Sequence, residues 1–422
     1  MTTTTKNISG WGNFPVIKAT VLRPDTIAEL VQLVKEVPSL LPRGSGRSYG
    51  DSSLYHTVVD MKGLNKILVE RDGFIKVEGG ITIAELLQHI VPQKKFLPVT
   101  PGIKSITIGG AIASDVHGKN HLYEGSFFNA THSLQLINEQ GEIITCSRTE
   151  NTEIFGRTFG SMGLCGIIIT ATIKLINIET TWIQEDQFSA VSFSKIFLLM
   201  EAKRKMPFMA TWIDLLSKET RGIIKTGGWI TDQSNLAGRA PMILETGKQK
   251  TVPFRLPCPL PAFAFKCFNS FFFNKAKKIP AQIVHFNNFF YPLDSIKNWN
   301  HVYGPNGMLQ FHFALPLKAS ERGMEKAIEI VKCSKATCTL AVMKIFGKEN
   351  TETPFSFPIE GYNLALDFIN NKKAIALIGN LDLFVKTLGG KVYKTKDAVS
   401  SLPQQISSSS KFNSVQNERY GR

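Results

Sequence analysis

A glycine-rich stretch at residues 99–127 constrains the fold more than any other part of the chain. It opens with a Pro-Gly turn and a short β-branched run, continues through small residues, and ends in polar and basic side chains. Because glycine lacks a Cβ atom, a ligand can lie directly on such a backbone, and main-chain N–H groups can face anionic oxygens. Taken alone, the stretch is also consistent with a loop that only turns the chain.

A second glycine-rich stretch, LPRGSGRSYGDSSL at 41–54, strengthens the ligand interpretation. Its glycines and serines can form a nest of N–H groups, and Arg43 and Arg47 could offset the charge of a diphosphate. Either arginine could instead be a solvated loop charge. The stretch matches neither GxGxxG nor GxxxxGK[ST], so it predicts neither a Rossmann nor a P-loop site.

A third segment, FGSMGLCGIIITATIKL at 159–175, combines a glycine turn with a strand-like run. Together the three segments resemble the FAD domain of FAD-linked oxidases of the vanillyl-alcohol-oxidase type. The resemblance is closer to one branch, the decaprenylphosphoryl-ribose 2-oxidases, whose sequence blocks occur here in family order. These blocks are GWG at 10–12, GRSYGD at 46–51, GGAIASDVHGKNH at 109–121, NWNHVYGPNGMLQF at 298–311, KIFG at 344–347, SFPIEGYNLALDF at 356–368 and GGKVYKTKDA at 389–398.

The resemblance implies an α+β fold. It has a two-part FAD-binding domain of the PCMH type and a substrate domain whose antiparallel sheet is covered by helices. We expect the FAD-binding domain at 1–178, the substrate-binding domain at 179–390, and a C-terminal return to the FAD-binding domain at 391–422. The periodicity agrees, with a helix capped by Asp25, a second helix at about 82–90, and mixed strands and helices beyond residue 180. The serine-rich tail at 407–410 is interpreted as a loop or a frayed end.

The implied cofactor is FAD held without a covalent bond. Relatives with covalently bound flavin carry a histidine in the first loop, and Arg47 stands at that place here. The residues expected to bind the cofactor belong to the three glycine-rich segments and to the C-terminal return. They are Pro42, Arg43, Gly44, Ser45, Gly46, Arg47, Ser48, Tyr49, Gly50, Asp51, Ser52, Gly102, Thr107, Ile108, Gly109, Gly110, Ser114, Asp115, Val116, His117, Ile168 and Tyr393.

Two residues are expected to act in catalysis, Lys396 and His117. By resemblance Lys396 reaches the flavin and the substrate, where a cation favours the anionic reduced flavin. His117 is expected near the flavin and the reacting alcohol, although a lone histidine is more often a hydrogen-bonded structural residue. The HGKNH spacing lacks the glutamate of HExxH and has no accompanying CxxC, so no metal is expected.

The expected substrate-binding residues match pocket positions of the family. They are Trp212, Gln310, His312, Lys344, Asn363 and Lys396. Lys344 could pair with a substrate phosphate, whereas Trp212 and Tyr49 would also pass as core aromatics. Three positions depart from the family: His312 replaces a glutamine, Phe290 a tyrosine and Ala365 a cysteine. These changes leave the flavin site intact and leave the sugar and lipid specificity open.

The resemblance implies a reaction and its partners. The family oxidises C2 of ribose in a polyprenyl-phosphate-linked sugar to a ketone, by hydride transfer to the flavin. A short-chain reductase then acts on the keto product, which gives net epimerisation to arabinose. The final electron acceptor, oxygen or a quinone, is left open. Two alternatives are a soluble aldonolactone or alditol oxidase on the same fold and a non-catalytic, membrane-associated flavoprotein.

The net charge of +15 predicts anionic partners such as nucleic acid, phospholipid headgroups or phosphorylated substrates. No nucleic-acid-binding motif is present, which favours lipid and phosphate over nucleic acid. The six cysteines form no CxxC pair, and the N-terminus lacks an apolar signal-peptide core. These features predict a cytoplasmic protein with reduced cysteines, and a peripheral position at the membrane is an alternative.

One segment of the expected substrate domain, PCPLPAFAFKCFNSFFFNKAKK at 257–278, holds six phenylalanines followed by a lysine cluster. Exposed phenylalanines beside lysines suit a contact with an anionic membrane surface. The alternative is a segment buried beneath the rest of the domain. The two interpretations differ in whether the phenylalanine side chains face solvent, which the sequence alone does not determine.

Overall fold

A computed structural model of the 422-residue chain describes residues 1–244, 249–400 and 411–420. The serine-rich tail at 407–410 lies outside the described residues. The strands are β1 (Thr2–Ser9), β2 (Val16–Arg23), β3 (Leu41–Arg43), β4 (Thr57–Asp60), β5 (Ile67–Arg71), β6 (Phe74–Glu78), β7 (Lys95–Phe96), β8 (Thr131–Ile137), β9 (Ile143–Ser147), β10 (Ile167–Lys174), β11 (Ile176–Asn177), β12 (Trp182–Ala190), β13 (Phe208–Asp214), β14 (Arg221–Trp229), β15 (Lys250–Thr251), β16 (Ala281–His285), β17 (Ile296–Lys297), β18 (Met308–Pro316), β19 (Cys338–Phe346), β20 (Gly361–Ile369) and β21 (Lys391–Val392).

The helices are α1 (Ile27–Glu36), α2 (Ile83–Ile90), α3 (Ile108–Ala113), α4 (His121–Glu124), α5 (Phe127–Ala130), α6 (Thr152–Thr158), α7 (Phe193–Ala202), α8 (Ala262–Lys277), α9 (Phe286–Phe290), α10 (Leu317–Cys333), α11 (Lys372–Thr387) and α12 (Val415–Tyr420). Short 3₁₀ turns occur at Met61–Gly63, Val91–Gln93, Gln233–Leu236, Pro292–Ser295, Trp299–Tyr303 and Lys394–Lys396. Within the described part of the chain, no helix is long and apolar enough to cross a membrane.

The N-terminal part of the chain is built on two sheets. A four-stranded sheet has the order β1-β2-β4-β3, and its β2–β4 and β3–β4 pairs are parallel. A five-stranded antiparallel sheet has the order β5-β6-β10-β8-β9. The segment at 159–175 supplies β10, the central strand of this second sheet. The first glycine-rich loop connects β3 to β4 of the four-stranded sheet, and the second leads into β8 of the five-stranded sheet.

Local sequence signals explain where the first helices begin. The pattern at 82–90 predicts a helix there, and Thr82 and Glu85 form a capping box at the start of α2. The prediction of Asp25 as the cap of α1 is wrong, because the side chain of Thr26 accepts the bond from the Glu29 N–H. The Asp25 carboxylate instead pairs with the N-terminal amine at 3.0 Å.

The second half of the chain forms an eight-stranded antiparallel sheet with the order β16-β12-β14-β13-β19-β20-β18-β21. Helices α7, α10 and α11 bury apolar side chains in one core with this sheet. The mixture of helices with antiparallel sheets confirms the predicted α+β class. These three helices cover one face of the sheet, and the opposite face carries the polar side chains of Gln310, His312 and Lys344.

The C-terminal return begins immediately after β21, the edge strand of the large sheet. The Tyr49 N–H donates to the carbonyl of Thr395 at 3.1 Å, which joins the return to the first glycine-rich loop. Helix α12 holds the return in place, because Gln416 Nε2 donates to the carbonyls of Lys394 and Asp397 at 2.8 and 2.9 Å. Residues more than 340 positions apart in sequence thus meet at one point.

Candidate active site

A cavity lies where the three glycine-rich segments, the large sheet and the C-terminal return meet. Most of the predicted site residues form its wall. Those on the wall are Pro42, Gly44, Ser45, Gly46, Arg47, Ser48, Tyr49, Ser52, Gly102, Thr107, Gly109, Gly110, Ser114, Val116, His117, Ile168, Gln310, His312, Lys344, Tyr393 and Lys396. The tertiary structure therefore assembles the predicted cofactor and substrate residues around one space.

The two glycine-rich loops interlock through Thr107. Its hydroxyl accepts from the Gly110 N–H at 3.1 Å and so caps α3. The same oxygen lies 2.2 Å from where a Cβ atom on Gly44 would stand. Gly46 has a φ of +63°, which side chains rarely adopt. Glycine is thus required in the first loop for both close approach and backbone conformation.

The cavity wall suits a flat ligand with an anionic linker. A Cβ atom on Gly102 would meet no atom within 4 Å, so the backbone there faces open space. The guanidinium of Arg47 lies 4.2 Å from the centroid of the Trp11 ring, and its buried Nε has no hydrogen-bond partner among the described residues. A diphosphate could accept from that Nε. These features fit FAD.

His117 is buried among aromatic rings on the cavity wall. Its ring centroid lies 4.7 Å from that of Phe346 and 5.5 Å from that of His312. Burial, followed by the charge of Lys344, lowers the pKa of His117 well below its usual range. Its Nδ1 atom has no hydrogen-bond partner in the described structure. A neutral imidazole here can accept a hydrogen bond from a ligand.

A hydrogen-bonded chain fixes the tautomer of His312. Asn363 Nδ2 donates to the carbonyl of Lys344 at 3.1 Å, so its Oδ1 remains an acceptor. That oxygen lies 3.0 Å from His312 Nε2, which must therefore carry the proton. Burial lowers the pKa of His312 to about 3, so the ring is neutral and its unpartnered Nδ1 is a second acceptor beside that of His117.

Two lysines bring positive charge to the same wall. Burial lowers the pKa of Lys344 to about 8 and that of Lys396 to about 7. No carboxylate of the described residues lies within ion-pair distance of either ammonium. The buried Asp367 carboxyl lies nearby, accepts from Gln310 Nε2, and has its pKa raised by burial to about 7. The wall can therefore receive an anionic group.

The remaining predicted residues lie behind the wall. Arg43 donates to the carbonyls of Ser9 and Ser53, so its charge supports the loop from within. The Asp115 side chain accepts from the Phe128 N–H and from the Ser356 hydroxyl, which ties the second loop to the chain before β20. The others outside the wall are Gly50, Asp51, Ile108, Trp212 and Asn363.

Sequence reasoning missed several wall residues. Pro101 and Ile103 flank the predicted Gly102, while Met162 and Gly163 occupy the turn of the third segment. Met162 has a φ of +57° and Gly163 a φ of +85°, so this turn brings its backbone close to the ligand space. The glycine pattern at 159–166 marked that turn, and it could have identified both residues. Val342 carries no sequence signal beyond strand periodicity, whereas Ala365 stands out in the sequence only as a departure from the family pattern.

Comparison with known proteins identifies the family. A family model described as an FAD binding domain matches residues 19–147. The decaprenylphosphoryl-β-D-ribose oxidase of Mycolicibacterium smegmatis is 30% identical over 414 residues, which cover 94% of this chain and 90% of the relative. The chain belongs to the decaprenylphosphoryl-ribose oxidase family. It is an FAD-dependent oxidoreductase.

More distant relatives match a smaller share of this oxidoreductase. The D-arabinono-1,4-lactone oxidase of Debaryomyces hansenii is 25% identical over 37% of the chain and 31% of the relative. Cytokinin dehydrogenase 1 of Arabidopsis thaliana is 24% identical over 43% of the chain and 35% of the relative. Within the described residues, no group of histidine, cysteine or acidic side chains is arranged to hold a metal.

Proposed function

We propose that this oxidoreductase oxidises a ring secondary alcohol, C2 of ribose in a polyprenyl-phosphate-linked pentose, to a ketone. The product would be the substrate of a short-chain reductase, and the two steps together would epimerise ribose to arabinose. The observation that carries the proposal is the pair of buried lysines, Lys344 and Lys396, which face one cavity and form no ion pair among the described residues. An uncompensated buried cation is costly, so the site favours an anionic ligand.

The chemistry divides between cofactor and protein. Bound FAD supplies an acceptor for the hydride that leaves the carbinol carbon. The hydroxyl proton must leave at the same stage. Within the described structure the Nδ1 atom of neutral His312 is an unpartnered acceptor on the wall, and Nδ1 of His117 would be a second one in the tautomer that carries its proton on Nε2. Lys344 would bind the phosphate, and Lys396 would stabilise negative charge in the reduced state. The alcohol thereby loses two electrons and two protons in all.

The substituted wall residues bear on substrate choice. His312 stands where family members commonly carry glutamine, and Ala365 where they carry cysteine. Both positions lie in one cross-strand pair of β18 and β20, so together they shape one patch of the wall. Because alanine is smaller than cysteine, this patch would accept a sugar with a different orientation or substituent. The sugar is therefore the part of the proposal that most needs a direct test.

The test is anaerobic bleaching of the flavin in purified protein. A polyprenyl-phospho-ribose should bleach the yellow colour, whereas free ribose and D-arabinono-1,4-lactone should not. Bleaching by the lactone but not by the phospholipid sugar would identify a soluble sugar-lactone oxidase instead. Failure of every sugar to bleach a flavin that dithionite still reduces would favour a non-catalytic flavoprotein. Analysis of the product as a 2-keto sugar would complete the assignment.

A further inference from the structure

Helix α8 exposes aromatic rings to solvent. Phe263, Phe268 and Phe271 are 70%, 62% and 67% exposed, and together they form what we term the aromatic face. Phe273, by contrast, is 5% exposed and Phe272 is half-buried. Single exposed apolar residues are ordinary, but three phenylalanines on one side of one helix require a partner.

Polar contacts on the inner side of α8 prevent the aromatic face from turning inward. Buried Asn269 donates to Asp214 Oδ1 at 2.9 Å, and that carboxylate also pairs with Arg221 at 2.8 Å. The guanidinium of Arg221 lies 4.8 Å from the Phe273 ring centroid. Rotation of the helix would leave the Asp214 carboxylate buried without its Asn269 partner, which is unfavourable. The helix is therefore fastened with its phenylalanines outward.

The surroundings of the aromatic face are basic. Residues 249–293 contain no aspartate or glutamate. Lys266, Lys275, Lys277 and Lys278 on and beside α8 are exposed, and none forms an ion pair within the described structure. A protein partner would need a matching acidic rim, whereas an anionic bilayer offers negative headgroups above an apolar interior. Rings of phenylalanine beside unpaired lysines have the composition of an interfacial helix.

We propose that α8 docks this protein on an anionic lipid bilayer, with the aromatic face inserted at headgroup depth and the lysines on the lipid phosphates. The same helix reaches the active-site face of the large sheet, because Phe272 packs on Trp212 with ring centroids 4.8 Å apart. Trp212 pairs with Val342, and Val342 pairs with the wall residue Ala365. Docking would thus place the cavity near the bilayer; its use for a lipid-linked substrate rests on the proposed function.

Vesicle flotation tests the docking. FAD-loaded protein should float at low salt with vesicles of equal parts phosphatidylglycerol and phosphatidylcholine, and should bind less at high salt. Phe263→Ser with Phe268→Ser and Phe271→Ser should weaken binding by about tenfold or more. Phe272 and Phe273 are left unchanged, because they pack inward. The matched control is Leu198→Ser with Leu383→Ser, two leucines 67% and 59% exposed on α7 and α11.

The lysines beside the aromatic face are tested with a second set of variants. Lys275→Gln, Lys277→Gln and Lys278→Gln should weaken binding and flatten its salt dependence. The control is Lys372→Gln with Lys373→Gln, two lysines exposed on α11. These substitutions should change vesicle binding and its salt dependence only by the general effect of the lower net charge. FAD absorbance and circular dichroism establish that each variant is folded. Unchanged flotation of the phenylalanine variant would overturn the proposal.

Four further results distinguish the docking from the proposed substrate. Parent protein that ignores the vesicles at low salt, but changes from oligomer to monomer on the phenylalanine substitutions, would identify a protein interface instead. Equal binding to pure phosphatidylcholine would refute the anionic partner. Flotation as expected, with no bleaching by a polyprenyl-phospho-ribose, would keep the docking and reject the proposed substrate. Bleaching by a detergent-solubilised substrate in a variant that no longer floats would support both.

Discussion

The Nζ atom of Lys396 lies 3.8 Å from the centroid of the Tyr49 ring. Tyr49 belongs to the first glycine-rich loop and Lys396 to the C-terminal return, so this contact joins the two segments on the cavity wall. The contact with the Tyr49 ring holds the Lys396 side chain on the wall, where burial lowers its pKa to about 7. Its position on the wall makes it available to a bound ligand.

Lys396→Ala should slow substrate-dependent bleaching while FAD stays bound. Removing one preorganised electrostatic contact to developing charge costs roughly 100-fold or more in rate. The control is Lys396→Arg, which keeps a cation and should retain more activity than the alanine variant. Stopped-flow reduction at equal flavin content measures the effect. A variant that bleaches as fast as the parent would remove Lys396 from the mechanism.

The KM for a phosphorylated substrate should rise as the pH increases through about 8. Burial lowers the pKa of Lys344 to about 8, so its cation is present below that pH and is lost above it. A bound phosphate stabilises the cation and moves the transition upward in the complex. Lys344→Gln should have a high KM that no longer varies in this range. Steady-state kinetics between pH 6 and pH 9 would show an unchanged pH profile if Lys344 does not bind the phosphate.

FAD should be released completely when the protein is precipitated with acid. Arg47 occupies the loop position at which a histidine carries the flavin in covalently linked relatives, and its side chain stacks on Trp11. Guanidinium forms no such bond, so the flavin is held by packing and hydrogen bonds alone. Absorbance at the flavin maximum should appear in the supernatant. Yellow colour retained in the washed pellet would contradict this prediction.

Asp115→Asn should be tolerated, whereas Asp115→Ala should destabilise the fold. Asp115 has a φ of +40°, which asparagine also adopts. The alanine variant leaves the Phe128 N–H and the Ser356 hydroxyl without their acceptor, at a cost of about 1–3 kcal/mol for a buried group. Urea unfolding of the two variants and the parent measures the difference.

The carboxyl group of Asp115 should also make the stability of the fold fall as the pH rises. Burial raises the pKa of Asp115 from 3.8 to about 6, so the folded state holds this proton more tightly than the unfolded chain. The contribution to stability is therefore full below pH 3.8 and lost as the pH rises through 6. At about 1.4 kcal/mol per pKa unit, the parent should lose about 3 kcal/mol relative to Asp115→Asn between pH 3 and pH 7. Equal pH profiles for parent and variant would show that the carboxyl is not desolvated.

The sequence by itself determined the α+β class and the two glycine-rich loops. Gly44 is required by its close approach to Thr107, which is distant in sequence, whereas a Cβ atom on Gly102 would face open space. Gly46 is required by its own positive φ, so a local pattern reveals it. The same holds for the α2 capping box, which depends on residues three positions apart. The family blocks identified Lys344, Lys396 and His117 because their spacing within each block is local as well.

Only the tertiary structure decided which residues share the wall. The His312 tautomer depends on Asn363 across a strand pair and on the carbonyl of Lys344 one strand further, which no sequence spacing encodes. Arg43 carries the same charge as Arg47, but its bonds to Ser9 and Ser53 turn it inward. Similarly, six neighbouring phenylalanines divide between the inner and outer sides of α8, because burial is set by what packs against each side chain rather than by its type.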